Sequence, residues 1–430
     1  MKKKYRIILY TSIFLLCVVA SIILVVKKSN SVYEEESKPK VVKHKSMLSM
    51  NLEQTAGAGD YKTVTQSGWP TEGYKFNTEL SRCENGSTLS WDDTKKAVIV
   101  SGNLSDKCYV YFDIYQPTLA EYIKSQYTGT QGENNIYYHD SDLANGAGDN
   151  SYRYAGANPN NFVCFGSDTS PCPTDNLYRI IGVFGENYHG VTGKQLVKLI
   201  KYDYMTTDEL GTDGDYSQTY KEWGMDSTYK GTYGDGERIG VYYWNYKATN
   251  SATNTWSTSL LNKTNLNTNF INNIGTTWAN KIATVTWKVG GNTYANISQS
   301  VPATTYQNEI VNPVTTNTTD NATTYSAKIG LMYVSDYGFA ASPDAWTLTM
   351  SSYNNTTATN NNWMYMGLYE WTISRRADIS GRAFLVSYVG GVNSSYVFDY
   401  GRGVRASFSL ESSVSYVSGS GSMSDPIVIN

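Results

Sequence analysis

Leu177-Tyr-Arg-Ile-Ile-Gly-Val-Phe184, followed by Leu196-Val-Lys-Leu-Ile-Lys201, is the stretch that decides the fold of the larger part of this chain. Both runs are rich in branched and aromatic residues, and the polar, glycine-containing segment 185–193 separates them. Such runs bounded by turn residues read as two consecutive strands. Working outward, a larger domain is expected from about Asn161 onward. Residues 282–289 read as a strand, 329–335 as a buried strand, and 257–274 as a pair of short helices. Three short strands, 371–374, 383–386 and 404–410, follow among turns at Gly381, Gly390–Gly391 and Gly401, and a short strand ends the chain. The polar segment 202–242 shows no helical period and is expected to be irregular, as is the Thr/Asn-rich 312–324.

Upstream, Pro117 and the capping pair Thr118 and Glu121 open a short helix. The segment 140–149 carries Asp140, Asp142 and Asp149, but Ala144 and a late Gly146 break the calcium-loop pattern, leaving a Gly/Asn-rich loop. TLSWDD, KAVIV and CYVYFDIY, between residues 88 and 115, read as strands of a small β module. Cys83, Cys108, Cys164 and Cys172 group in sequence as Cys83 with Cys108 and Cys164 with Cys172. Disulfides are the expected reading, with free thiols and a metal site as alternatives. No Cys-x-x-Cys spacing or adjacent His supports a metal.

Residues 5–26 are one unbroken apolar run with lysines on both sides. About 20 apolar residues cross a bilayer as a helix. The expectation is an uncleaved single-pass anchor that leaves the bulk of the chain extracellular. A cleaved signal peptide, or a lipid-modified Cys17, is the alternative. The chain then divides into 1–28 (cytoplasmic tip and transmembrane anchor), 29–74 (stalk), 75–116 (disulfide-stapled β module), 117–160 (helix and Gly/Asn-rich connector) and 161–430. The fold class expected is α+β, β-rich, with an N-terminal transmembrane helix.

A formal net charge of -3 argues against nucleic acid, which demands a basic face. Charged residues make up 17% of the chain, below the roughly 25% usual for soluble domains. Polarity comes instead from Asn, Thr, Ser and 37 Tyr, a composition suited to strands, turns and an extracellular surface.

The motifs Leu177–Phe184, Lys328-Ile-Gly-Leu-Met-Tyr-Val-Ser-Asp336, Glu370-Trp-Thr372 and Gly403-Val-Arg405 with Phe408 and Leu410 resemble, in their order, uncharacterised bacterial surface domains. Those domains are related to C-type lectins and formylglycine-generating enzymes. The resemblance covers roughly 130–430 and implies a C-type-lectin-like C-terminal domain with long irregular loops on one face. The chain departs from both relatives. No cysteine follows Cys172, so the cysteine-dependent chemistry of formylglycine-generating enzymes is not expected, and the calcium-binding Glu-Pro-Asn and Trp-Asn-Asp motifs of sugar-binding lectins are missing.

No catalytic residue, cofactor or metal ligand is assigned. No Gly-x-Ser-x-Gly element accompanies the three histidines, His44, His139 and His189. The segment 387–402, with Tyr388, Asn393, Tyr396, Tyr400 and Arg402, has the Tyr/Ser/Gly/Asn composition of adaptable recognition loops. Trp363 and Tyr365 add stacking surface. The expected function is adhesion or non-covalent recognition of a glycan or a surface protein. The first alternative is a surface enzyme acting on external or cell-wall polysaccharide through Asp336 and Glu370. The second is a purely structural surface protein.

Overall fold

Strand Leu177–Phe184 is buried along all eight residues, and a computed structural model of the protein shows why. The structure describes residues 48–65, 68–70, 73–103, 105–220, 229–233, 238–246, 253–314 and 322–430. These fall into two compact units, one up to Gln116 and one from Pro117 to Asn430.

In the first unit, β1 (Leu48–Glu53), β2 (Tyr61–Val64), β3 (Tyr74–Phe76), β4 (Arg82–Cys83) and β7 (Cys108–Ile114) form one sheet, in the order β2-β1-β7-β3 with β4 also on β7. Strand β1 runs parallel to β7, and the other pairs are antiparallel. β5 (Thr88–Asp92) and β6 (Ala97–Ser101) make a separate hairpin. In β7, Cys108, Val110 and Phe112 are buried and the residues between them are partly exposed, the period of two that gives a strand one inner face. Met50, Leu52, Phe76 and Val98 complete that small core with Val110 and Phe112. The range read as a stalk thus contributes β1, β2 and the first residue of β3 to this unit.

In the second unit, seven strands form an antiparallel sheet: β8 (Ile136–Tyr138), β9 (Tyr152–Tyr154), β10 (Phe162–Cys164), β11 (Leu177–Phe184), β12 (Leu196–Lys201), β17 (Ile329–Gly330) and β21 (Ser407–Ser409). The order is β17-β21-β12-β11-β9-β8, with β10 also on β11. β11 is therefore central, with paired neighbours on both edges. Helix α1 (Leu119–Ser125), opened by a capping box between Thr118 and Glu121, sends Leu119 and Ile123 into the same core. Residues 117–160, read as a helix and a Gly/Asn-rich connector, supply helix α1 together with β8 and β9 to this unit. Gly182 sits at a register shift in β11; an added Cβ there would collide with the Tyr152 carbonyl oxygen. The residue is a glycine because a neighbouring backbone occupies that space.

Three differences from the sequence reading stand out. First, the transmembrane helix expected as part of the fold is corrected: no helix among the described residues is long and apolar enough to cross a membrane. Residues 5–26 lie outside the described residues, and the fold described is β-rich α+β. Second, the run 329–335 does not continue as a strand. After β17 it turns into helix α2 (Val334–Ala340), because Asp336 caps the backbone N–H of Tyr333. Third, 202–242 is less irregular than its composition suggests. It holds a short helix, Thr207–Leu210, and the pair β13 (Tyr216–Thr219) and β14 (Gly240–Tyr242).

Candidate functional site

β18 (Glu370–Arg375), β19 (Arg382–Val386) and β20 (Val392–Tyr396) form an antiparallel meander. Trp371, Ile373, Ala383 and Leu385 of β18 and β19 are buried. The β19–β20 turn is closed by Ser387 N–H to the Gly391 carbonyl at 2.9 Å and Gly390 N–H to the Ser387 carbonyl at 2.8 Å. Gly390 has φ +94°, a conformation that side chains disfavour. From below, the buried Tyr337 hydroxyl donates to the Gly390 carbonyl at 2.7 Å. The turn is thus braced by the core, and Tyr388 and Val389 project from it, 38% and 39% exposed.

A row of rings and cations runs from that turn. The Tyr365 hydroxyl donates to the Tyr388 carbonyl, and the Lys230 ammonium lies 4.4 Å from the centre of the Tyr365 ring. Tyr388 meets Tyr369 at 5.2 Å. The Arg402 guanidinium lies 4.5 Å from Tyr369 and 5.2 Å from Tyr400. Cations over ring faces are held by the ring quadrupole, which also fixes the rings in place. Burial lowers the Arg402 pKa, with Tyr369 and Tyr400 acting in the opposite sense; arginine remains charged throughout. Tyr400 is 55% exposed, so the row ends in an open aromatic face.

Of the residues singled out from sequence, Tyr365, Tyr388, Tyr400 and Arg402 meet in this row. The others do not. Trp363 is buried, with its ring under the Arg179 guanidinium at 4.7 Å and its N–H donating to the Tyr154 carbonyl. Asn393 and Tyr396 lie on β20, where Tyr396 pairs with Arg382 at the end of the hairpin away from the Tyr388 turn. Four residue steps at about 3.4 Å place that end roughly 14 Å from the Val386–Val392 pair. There the Arg382 guanidinium covers the Tyr396 ring at 4.2 Å. Tyr369, Lys230 and Arg382 were not found from the sequence. Tyr369 carried a signal, being the aromatic residue next to the Glu370-Trp-Thr motif.

The carboxylates considered for polysaccharide cleavage, Asp336 and Glu370, are both buried. Asp336 is 1% exposed and lies in the first turn of a helix. Its oxygens accept from Lys198 Nζ at 2.7 Å and from the Tyr188 hydroxyl at 2.7 and 2.9 Å. Glu370, 2% exposed, binds the fork of Arg405 at 2.8 and 2.9 Å. Burial raises the Glu370 pKa while Arg405 opposes that shift. Each acid is buried with its own cation, the opposite of a solvent-facing acid and base that share a substrate. His139 and His189 are also buried, and His44 lies outside the described residues. Among the described residues, no group of three His, Cys, Asp or Glu side chains has the arrangement to hold a metal ion.

The cysteines pair as the sequence groups them, Cys83 with Cys108 and Cys164 with Cys172. The first pair joins directly opposed residues of β4 and β7. In the 140–149 loop, Asp149 is committed to Arg153 at 2.7 Å and not to an open cation site. Comparison with known proteins gives no matching family model, no matching curated protein and no matching solved structure, so neither a family nor a lectin-like domain is identified for the chain.

Proposed function

We propose that this is an exported recognition protein that binds a glycan or a protein surface through the Tyr388 turn and the Tyr369–Arg402–Tyr400 row. The observation that carries the reading is the combination of exposed tyrosines with a rigid base. Tyr388 and Tyr400 offer aromatic area at low entropy cost, and Tyr337, Tyr365 and Arg402 fix the backbone and rings beneath them. Export is supported by the two disulfides, which persist in oxidising compartments.

The test is to present the full chain to glycan and peptide arrays and measure affinity for the strongest hit. Tyr388→Ala combined with Tyr400→Ala should weaken binding at least about tenfold, the loss of roughly 1.4 kcal/mol, with an unchanged melting temperature. Wild-type affinity in that variant would place the binding face elsewhere. An array without any hit would favour a structural role.

A further inference from the structure

Across the central sheet, Gly182 of β11 pairs with Arg153 of β9 on one side and Lys198 of β12 on the other. Directly paired residues project to the same face of a sheet. The two cations therefore lean over a glycine that has no side chain of its own, and both reach Asp336 of α2. Lys198 Nζ lies 2.7 Å from Asp336 Oδ2. Around it stand the rings of Tyr188, Trp287 and Tyr333, with centres at 4.8, 5.0 and 4.4 Å. Lys198 is fully buried.

In such a site, shielded from water, keeping an amine and a carboxyl as separate charges is costly. Burial lowers the Lys198 pKa, partly offset by Asp336. The reacting groups are also equipped for more than an ion pair. The Tyr188 hydroxyl touches Nζ at 2.6 Å and both Asp336 oxygens at 2.7 and 2.9 Å, which makes it a proton relay between them. Tyr333 N–H donates to Oδ2 at 3.0 Å. Arg153 Nη1 is buried without a hydrogen-bond partner and lies 3.8 Å from Oδ1, a donor positioned for negative charge that develops on that oxygen.

We propose that Lys198 and Asp336 condense to an intramolecular amide, a self-made cross-link between β12 and α2. The Nζ lone pair adds to Asp336 Cγ, forming the N–C bond and moving the carbonyl electron pair onto Oδ1 beside Arg153. Oδ2 collects two of the three protons that the ammonium carried, by direct transfer and through Tyr188, and leaves as water as the C–O bond breaks. The electron pair on Oδ1 returns to the carbonyl. One proton stays on the amide nitrogen. No oxidant, reductant or cofactor enters the balance. Holding amine and carboxyl in contact removes the entropic cost that prevents this condensation in solution, and burial keeps water from reversing it.

The test is tryptic mass mapping of the reduced full chain. The expected result is a branched peptide in which segment 195–201, uncut after Lys198, is joined to segment 329–375 and is lighter by one water. Finding 195–198 free and 329–375 linear and unmodified in the folded wild-type protein would overturn the proposal. This readout needs no variant to fold. In Lys198→Arg, which keeps the charge but lacks the amine, the water loss should vanish; its persistence would also overturn the assignment.

Discussion

Arg405 grips Glu370 fork to fork in the core of the second unit: Nε donates to Oε1 at 2.8 Å and Nη2 to Oε2 at 2.9 Å. The pair also ties together the two chain segments that carry the recognition row. Beside it, Gly403 N–H donates to the Tyr369 carbonyl and Trp371 N–H to the Gly403 carbonyl. Tyr369 precedes Glu370, and Arg402 precedes Gly403, so the ion pair holds their ring–cation contact from beneath.

Removing one partner leaves the other as an uncompensated buried charge. Glu370→Ala should destabilise the second unit by about 3–5 kcal/mol, read as a lower midpoint in urea unfolding. Replacing both, as Glu370→Leu with Arg405→Met, should cost much less than either single change, because no charge is then stranded. If the double variant is as unstable as the singles, packing and not charge dominates.

His139 supplies a pH test. It is fully buried, its Nδ1 accepts from the Ala147 N–H at 3.0 Å, and its ring packs against Phe339 and Trp346. Burial holds its pKa well below the ordinary 6.5, with Arg153 adding to the shift and Asp149 opposing it. The unfolded chain therefore binds a proton below pH 6.5 that the folded chain refuses, and this group's contribution to stability falls as pH drops. Two buried acids act in the opposite sense: Glu309, pushed up to about 7, and Asp215, pushed up to about 6, each add stability below their unfolded pKa that is lost as pH rises. The measurement is thus a comparison of pH profiles. Against His139→Asn, which retains an acceptor, the wild type should lose about 1.4 kcal/mol for each pH unit below 6.5. Parallel profiles would show that His139 charges freely in the fold.

The Cys83–Cys108 bond closes a sequence separation of 25 residues in the small first unit. Loop-closure entropy for that span is about 3.5 kcal/mol, large against a core built on six buried apolar residues. Cys83→Ala with Cys108→Ala should lower the first unit's transition in calorimetry and leave that of the second unit in place. The Cys164–Cys172 bond, over a separation of 8, should cost less when removed, about 2.6 kcal/mol.

The strands of the second unit were legible where composition and burial agree. Leu177–Phe184 and Leu196–Lys201 are apolar along their length because β11 and β12 have neighbours on both edges. The helix after Pro117 was legible because a capping box is a local device. Helix α2 was not, because its cap is Asp336, whose other partners, Lys198 and Tyr188, are more than a hundred residues away in sequence. The same limit applies to the site. Tyr388 and Tyr400 stood out by composition, but Trp363 has the same aromatic character and is buried under Arg179. No local pattern distinguishes a ring that faces solvent from one that covers a buried guanidinium.

Gly390 offers a way to disturb the recognition turn without touching an exposed ring. Its φ of +94° is strained for any other residue, and a Cβ there would stand 2.8 Å from the Tyr353 carbonyl oxygen and close on the Thr359 methyl. Gly390→Ala should therefore cost about 1–3 kcal/mol, read as a lower melting temperature. The backbone has to move to admit the methyl, and Tyr388 is two residues away. Ligand affinity should then fall even below the melting transition, at temperatures where the variant is fully folded. Tyr337→Phe removes only the hydroxyl that donates to the Gly390 carbonyl and should weaken binding in the same direction with a smaller loss of stability. If both variants bind as the wild type does, the turn is not the ligand's platform, and the exposure of Tyr388 has no part in recognition.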